Sequence, residues 1–195
     1  MKKSLQVWLG VLLLSLIGCT TTNPDDPNAS DIVKIETEAR GFASEGKYAE
    51  GIAAYEQSLT WQAATLHLNP SRFANTETQL AGLYYRQRDF ATAARLYRHA
   101  LQLEIERLGI QHPDVLGLMS ILASLELKLQ HPETAERILR LQLSGSERVY
   151  GVDRRESATI FVNLAEALDA QGKPAEAKKL REKAQEIRHK LCDEC

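Results

Sequence analysis

Aromatic residues are scarce in this sequence, making up only 6% of its 195 residues. Sheets are usually built from β-branched and aromatic side chains, so this scarcity argues against a β-rich fold. Hydrophobic residues nevertheless reach 44%, and many of them are Ala and Leu, which favour helices and close helix packing. The composition therefore predicts an all-α protein, and the length is sufficient for one domain but short for two.

The sequence also lacks an excess of positive charge. Its 24 basic and 26 acidic side chains give a formal net charge of −2. Proteins that bind nucleic acid usually present a concentrated basic face. We therefore expect no nucleic-acid partner.

Motifs that carry catalysis are missing as well. There is no His-Glu-x-x-His, no Gly-x-Ser-x-Gly, no phosphate-binding glycine loop and no dinucleotide fingerprint. The five histidines are scattered along the chain, and His112 and His131 each precede a Pro that is expected to begin a helix. The sequence thus predicts a protein that is not an enzyme and that holds no cofactor or metal.

No apolar run reaches the roughly 20 residues that a helix needs to span a bilayer. The run at 5–18 follows the cationic start MKK and ends in the letters LIGC. A cationic start, a short apolar run and a small residue before a cleavage site are the parts of a secretory signal peptide. We predict that residues 1–18 are removed on export; a permanent membrane anchor is the alternative.

The letters LIGC, which end at Cys19, resemble the lipobox of bacterial lipoproteins. The resemblance implies that the Cys19 thiol is diacylated and that the new amino terminus is acylated too, which would hold the protein on a lipid bilayer. Thr20 stands where Asp tends to retain lipoproteins at the inner membrane, so the resemblance implies the outer membrane, with the protein facing the periplasm. The alternative is an ordinary signal peptide followed by an unrelated Cys.

Residues 19–30 are polar after the Cys, contain two Pro and show no apolar period. Such a segment predicts a flexible tether. Its reach is at most about 37 Å, so the rest of the protein should stay near the membrane.

The chain beyond residue 30 repeats with a period of 42 residues. Leu-Ala pairs begin at 80, 122 and 164, and Ala39 occupies the Ala position one period earlier. Gly46, Arg88, Gln130 and Gly172 recur at expected turns, and each is soon followed by a small residue: Gly51, Ala93, Ala135 or Ala177. Apolar spacings of three and four predict two amphipathic helices per unit. The predicted helices are 31–45, 49–66, 71–87, 90–108, 113–129, 132–149, 155–171 and 174–191.

The second unit places Ala81, Tyr84, Ala93, Tyr97 and Ala100 on the small and large positions of the tetratricopeptide repeat, which residues 31–191 resemble. The first unit supplies Ala39, Phe42, Gly51 and Tyr55, whereas the later units have Glu126 and Arg181 where aromatics are usual. The 42-residue period and the letters LGIQHPD at 108–114 are similar to the kinesin-light-chain subclass. The resemblance implies an α-solenoid of about four helical hairpins, with eight antiparallel helices in a right-handed superhelix.

Proteins of this family bind peptides or helices on a concave face formed by the first helix of each hairpin. The resemblance therefore implies an adaptor or scaffold for an envelope protein or peptide, in secretion, pilus or cell-wall machinery. The alternative is a structural lipoprotein that self-associates into a homo-oligomer. In the family register, the residues expected on the concave face are Arg40, Asn75, Gln79, Tyr85, Arg86, Lys128, Asn163 and Glu166.

Two cysteines, Cys192 and Cys195, end the chain as residues 192–195. In an oxidising periplasm we expect them to form a disulfide with each other or between molecules. Inert thiols, a metal clip with His189 and a redox pair are the alternatives. The last two are disfavoured because chain ends fray and because no strand-helix setting surrounds the pair.

Overall fold

The computed structural model describes residues 29–63, 69–151 and 155–193. Within these ranges it consists of eight α-helices and contains no strand, which confirms the predicted all-α solenoid. The helices are α1 (Ala29–Ser44), α2 (Tyr48–Ala63), α3 (Pro70–Arg86), α4 (Phe90–Leu108), α5 (Pro113–Lys128), α6 (Pro132–Tyr150), α7 (Arg155–Ala170) and α8 (Pro174–Asp193).

Most helix bounds lie within two residues of the predicted ones. Helix α2 was expected to reach residue 66, but its described part ends at Ala63, and 64–68 lie outside the described residues. Helix α1 begins at Ala29, so the last two residues of the predicted tether are helical, not flexible. Asp31 in the first turn favours this earlier start through the helix dipole. The predicted signal peptide, Cys19 and the rest of the tether lie outside the described residues.

Local signals account for several helix starts. Pro occupies the first turn of α3, α5 and α6 and begins α8, where its missing N–H costs no helical hydrogen bond. Asn69 caps α3 by accepting a 3.2 Å hydrogen bond from the Arg72 backbone N–H, and Asp89 caps α4 by accepting one of 3.0 Å from Thr92.

The recurring turn residues adopt one backbone conformation in all four hairpins. Gly46, Arg88, Gln130 and Gly172 have φ angles of 76°, 65°, 62° and 74°. This left-handed region suits Gly and costs other residues roughly 1–2 kcal/mol. Each 42-residue unit therefore contains a turn residue with the same left-handed backbone conformation.

The small residues after these turns lie where the two helices of a hairpin meet. Ala93, Ala135 and Ala177 are fully buried. A methyl group added to Gly51 would lie 2.9 Å from Leu83 Cδ1 and 3.2 Å from the Ala39 carbonyl oxygen. The helices therefore approach each other closely at these small residues.

Each helix packs mainly against its neighbours in the chain, as in a stack of hairpins. One apolar cluster joins α1 to α5, and smaller clusters continue through α6 and α7 to α8. This arrangement leaves one side of the first helices, α1, α3, α5 and α7, available to solvent. That side is called the first-helix face below.

The two departures from the family pattern have different consequences. Glu126 is buried, and its carboxylate accepts a hydrogen bond from Arg98 on α4 and lies 3.0 Å from Nδ1 of His131. Arg181 is exposed and forms an ion pair with Asp169 on α7. Ion pairs thus replace aromatic contacts at both positions.

Candidate functional site on the first-helix face

A groove separates α3 from α5, and α4 forms its floor. It contains two cavities, of about 580 and 430 Å³, that meet at Ile121. Such volumes are in the range of ligand-binding clefts. We call this the α3–α5 groove. Its larger cavity is lined by Gly82, Tyr85, Arg86, Tyr97, Ser120, Ile121 and Ser124.

The end of the groove at the C-termini of α3 and α5 combines an aromatic surface with positive charge. The Tyr85 and Phe90 ring centroids are 5.4 Å apart, and Lys128 Nζ lies 5.9 Å and 5.6 Å from them. Neither Lys128 nor Arg86 forms an ion pair with a carboxylate in the part of the chain that the structure describes. Both cations therefore remain available to an acidic ligand.

The groove floor offers a hydrogen-bond donor. Only 7% of the Tyr97 surface is exposed. Burial raises the pKa of its phenol, and the neighbouring Tyr85 raises it further. The phenol therefore stays protonated at neutral pH. Gly82 lies directly above it, since a methyl group added to Gly82 would be 3.7 Å from the Tyr97 oxygen. Any larger side chain at Gly82 would make the groove shallower.

The opposite end of the groove, at the N-termini of α3 and α5, is more acidic. Asn75 and Gly117 line it, and the charges of Glu104 and Arg107 balance each other there in a 2.6 Å ion pair, which leaves the acidity to Asp114. Asp114 is largely exposed there, and its carboxylate lies 3.6 Å from Nδ1 of His112. The groove therefore has a basic end and an acidic end.

A second groove lies between α5 and α7, with α6 as its floor and a cavity of about 280 Å³. Gln142 donates hydrogen bonds of 2.8 Å to the Ser120 oxygen and 2.9 Å to the Leu116 carbonyl, which fixes the floor. Glu156 and Thr159 of α7 form its far side. We call this the α5–α7 groove, and Leu116 and Ile160 supply apolar lining beside the polar Gln142 and Glu156.

The structure brings some predicted binding residues together and separates others. Tyr85, Arg86 and Lys128 cluster at one end of the α3–α5 groove, and Asn75 lines the other end. Gln79 is exposed on α3 between them. Arg40 lies on α1, where it donates a 3.0 Å hydrogen bond to Thr37, and α7 carries the half-buried Asn163 and the exposed Glu166.

The sequence reasoning missed several groove residues, among them Gly82, Ile121 and Ser124. The 42-residue period would have found them. Gly82 and Ser124 occupy the register position of Arg40 and Glu166, and Ile121 occupies that of Gln79 and Asn163. They were overlooked because Gly, Ile and Ser are less conspicuous as ligand-binding residues than charged and amide side chains.

The structure describes only one of the two cysteines at the end of the chain. Cys192 is exposed, whereas Cys195 lies outside the described residues, so their pairing stays a prediction. Among the residues described, no group of three or more His, Cys, Asp or Glu side chains is placed to hold a metal ion. None of the helices in the described ranges is long and apolar enough to cross a membrane.

A protein-family model matches most of the helical repeats described above. Residues 72–141 and 117–190 match the tetratricopeptide repeat model, which together is more than half of the chain. The chain therefore belongs to the tetratricopeptide repeat family. Its members are typically interaction scaffolds rather than enzymes, and they bind peptides or proteins in a groove.

Solved structures show the same fold. A putative kinesin light chain from P. anserina is 21% identical over 84% of this chain and 78% of that one, with a TM-score of 0.76. BtubC from P. vanneervenii is 19% identical over 83% of this chain, with a TM-score of 0.72, and this chain spans 64% of that protein. MamA is 12% identical over 84% of this chain and 81% of that one, with a TM-score of 0.62. No curated protein is matched by the sequence.

Proposed function

We propose that this protein is a lipid-anchored adaptor of the bacterial cell envelope, which binds an extended segment of another envelope protein in the α3–α5 groove. The observation that carries the proposal is the cluster of Tyr85, Ile121, Arg86 and Lys128. Tyr85 and Ile121 are each 40% exposed, and the two cations have no carboxylate partner among the described residues.

Physical chemistry supports binding over a purely structural role for this cluster. Exposed apolar side chains in a cleft lose contact with water when a partner covers them, which favours association. Cations beside them that have no carboxylate partner can form an ion pair with a carboxylate of the binding partner without first breaking another ion pair. Both features occur in one groove with a floor fixed by helix packing, so little ordering is required on binding.

The membrane part of the proposal rests on the sequence at the chain start. Lipidation at Cys19 would keep the groove close to the envelope membrane, and we propose the periplasmic side of the outer membrane as its place. Replacing Cys19 by Ser tests this in the native cells. We expect the wild type to fractionate with membranes and to carry acyl chains on its first peptide, and the Cys19→Ser chain to do neither. Equal membrane attachment and identical peptide masses would reject the anchor.

The adaptor role is tested by crosslinking the full-length protein in its native cells, followed by mass spectrometry of what it captures. The groove variant combines Arg86→Glu, Lys128→Glu and Ile121→Ser. We expect a specific envelope protein to be captured by the wild type and lost with this variant.

A matched control changes the same kinds of side chain on the outer side of α6. Arg137, Leu141 and Arg148 are all exposed there, and Leu141 is 47% exposed, comparable to Ile121. The variant Arg137→Glu, Arg148→Glu, Leu141→Ser should still capture the partner. Capture of only further copies of the same chain, unchanged by the groove variant, would reject the adaptor and favour a self-associating structural lipoprotein.

A further inference from the structure

The first-helix face changes the sign of its charge from one groove to the next. Arg86 and Lys128 provide unpaired positive charge at the C-terminal ends of α3 and α5. Glu156 lines the α5–α7 groove, and Glu166 is exposed further along the same helix. Neither glutamate forms an ion pair within the described ranges. Asp114, largely exposed at the start of α5, adds to the acidic side.

Between the two charged regions, the exposed side of α5 carries no charge. Gly117, Ile121 and Ser124 follow one another at helical spacings of four and three. A methyl group added to Gly117 would meet nothing within 4 Å, so the surface beside Ile121 is open. Ile121 is the exposed apolar side chain at the point where the two cavities of the α3–α5 groove meet.

The spacing of these features along α5 is set by helix geometry. Lys128 and Asp114 are fourteen positions apart, which corresponds to about 21 Å at 1.5 Å per residue, and Ile121 is midway. An extended peptide advances about 3.3 Å per residue, so about six residues cover this distance. Roughly three residues would separate each charged end from a side chain placed on Ile121.

We propose that the partner segment is extended and charge-ordered. It carries an acidic residue at Arg86 and Lys128 and an apolar residue on Ile121. A basic residue follows at Asp114 and Glu156, where the start of α5 at Pro113 and Gly117 borders both grooves. The argument is charge complementarity over a fixed distance, because like charges at either end would be repelled while opposite charges pair. This inference rests on the proposed use of the groove and specifies the chemistry of its ligand.

A library of random ten-residue peptides, selected on the immobilised chain that begins at Thr20, tests the charge order. We expect enriched peptides to have an acidic and a basic residue about six positions apart, with an apolar residue between them. Selection on Arg86→Gln, Lys128→Gln should remove the preference for the acidic residue and leave the preference for the basic residue unchanged. Selection on Asp114→Asn, Glu156→Gln should remove the preference for the basic residue and leave the preference for the acidic residue unchanged.

An enriched peptide made synthetically gives the quantitative measurement. Each double variant should weaken its binding roughly tenfold, as expected for the loss of two exposed charge pairs. The control variant Arg148→Gln, Glu106→Gln, which alters exposed charges on α6 and α4, should bind as the wild type does. Far-ultraviolet circular dichroism of all variants establishes that they remain helical.

Each other result overturns the charge order. Peptides enriched only in acidic residues, unaffected by Asp114→Asn, Glu156→Gln but lost with Arg86→Gln, Lys128→Gln, would reject the charge order and keep the groove as a binding site. A library without any enriched peptide would also reject it. Capture of a specific protein in cells then decides the adaptor role separately.

Discussion

The phenol of Tyr84 on α3 donates a 2.7 Å hydrogen bond to Oε1 of Glu56 on α2, which joins the second hairpin to the first. This hydrogen bond is the main reason why the pKa of Tyr84 is raised to about 12, and burial and the charge of Glu56 add to it. The ordinary value is about 10. The contact therefore stabilises the fold fully below pH 10 and ceases to do so as the pH rises through 12.

We predict that Glu56→Gln lowers the pKa of Tyr84 toward 10, as measured by the pH dependence of its ring carbon signals in nuclear magnetic resonance. Because the contact is exposed, Tyr84→Phe should reduce the free energy of unfolding at pH 7 by no more than about 1 kcal/mol. An unchanged Tyr84 titration in Glu56→Gln would show that the carboxylate is not the cause.

A second prediction concerns acid stability. Burial disfavours ionisation of Glu36, but hydrogen bonds from Arg72, Thr76 and Ser58, with the Arg72 charge, outweigh it and lower the pKa of Glu36. Glu36 accepts hydrogen bonds of 2.8 Å from Thr76, 2.9 Å from Gln62 and 3.0 Å from Arg72. A lowered pKa means that Glu36 stabilises the fold above its unfolded value of about 4.3, and that this contribution is lost as the pH falls through the folded value.

Glu36→Gln should therefore be less stable than the wild type at pH 7, and the difference should shrink below pH 4. Urea unfolding at a series of pH values measures it. Glu38→Gln on the same helix is the control, since Glu38 is exposed. A difference that stays constant down to pH 3 would contradict the linkage to Glu36.

A third prediction compares two glycines in neighbouring helices. Gly51→Ala brings its methyl group within 3.2 Å of the Ala39 carbonyl oxygen, so we expect a loss of about 1 kcal/mol or more. Gly41→Ala meets nothing within 4 Å and should gain about 0.5–1 kcal/mol, because Ala loses less backbone freedom in a helix. The midpoint of thermal unfolding is measured for both variants. Equal changes in this temperature would mean that the helices are not in close contact at Gly51.

A fourth prediction uses the left-handed turns. Gln130→Gly removes the cost of a φ of 62° and should stabilise the protein by about 0.5 kcal/mol, the gain being reduced by the greater freedom of Gly in the unfolded chain. Gly172→Ala, at the equivalent turn with a φ of 74°, should destabilise it by about 1 kcal/mol. Destabilisation by Gln130→Gly, measured by urea unfolding, would mean that the Gln130 side chain contributes more than its backbone costs.

Much of the architecture was predictable because its signals are local. Pro113, Pro132 and Pro174 mark helix starts, Gly46 and Gly172 mark turns, and each acts through its own backbone. The small residues at 51, 93, 135 and 177 were also predictable, since the period identifies them without knowledge of their contacts. The early start of α1 was missed because Ser30 is a residue type favoured at N-caps, which favours a helix that begins at residue 31.

The binding surface was predictable only in part. Family register placed Tyr85, Arg86 and Lys128 on one face, but not the stacking of Lys128 over Tyr85 and Phe90. The ion pair of the buried Glu126 with Arg98 was not predicted either, because Arg98 reaches it from another helix, 28 positions away in the chain.

The sequence by itself determined the helices and their number, since each helix depends on residues within a few positions of one another. It also determined the 42-residue register, which the recurrence of residues along the chain identifies without knowledge of their contacts. Only the tertiary structure decided which positions of that register form a groove. Lys128 and Tyr85 are 43 positions apart and meet because α5 packs beside the α3–α4 hairpin. A groove is a property of the space between helices, so its depth at Gly82 and its open surface at Ile121 depend on packing distances that no single helix specifies.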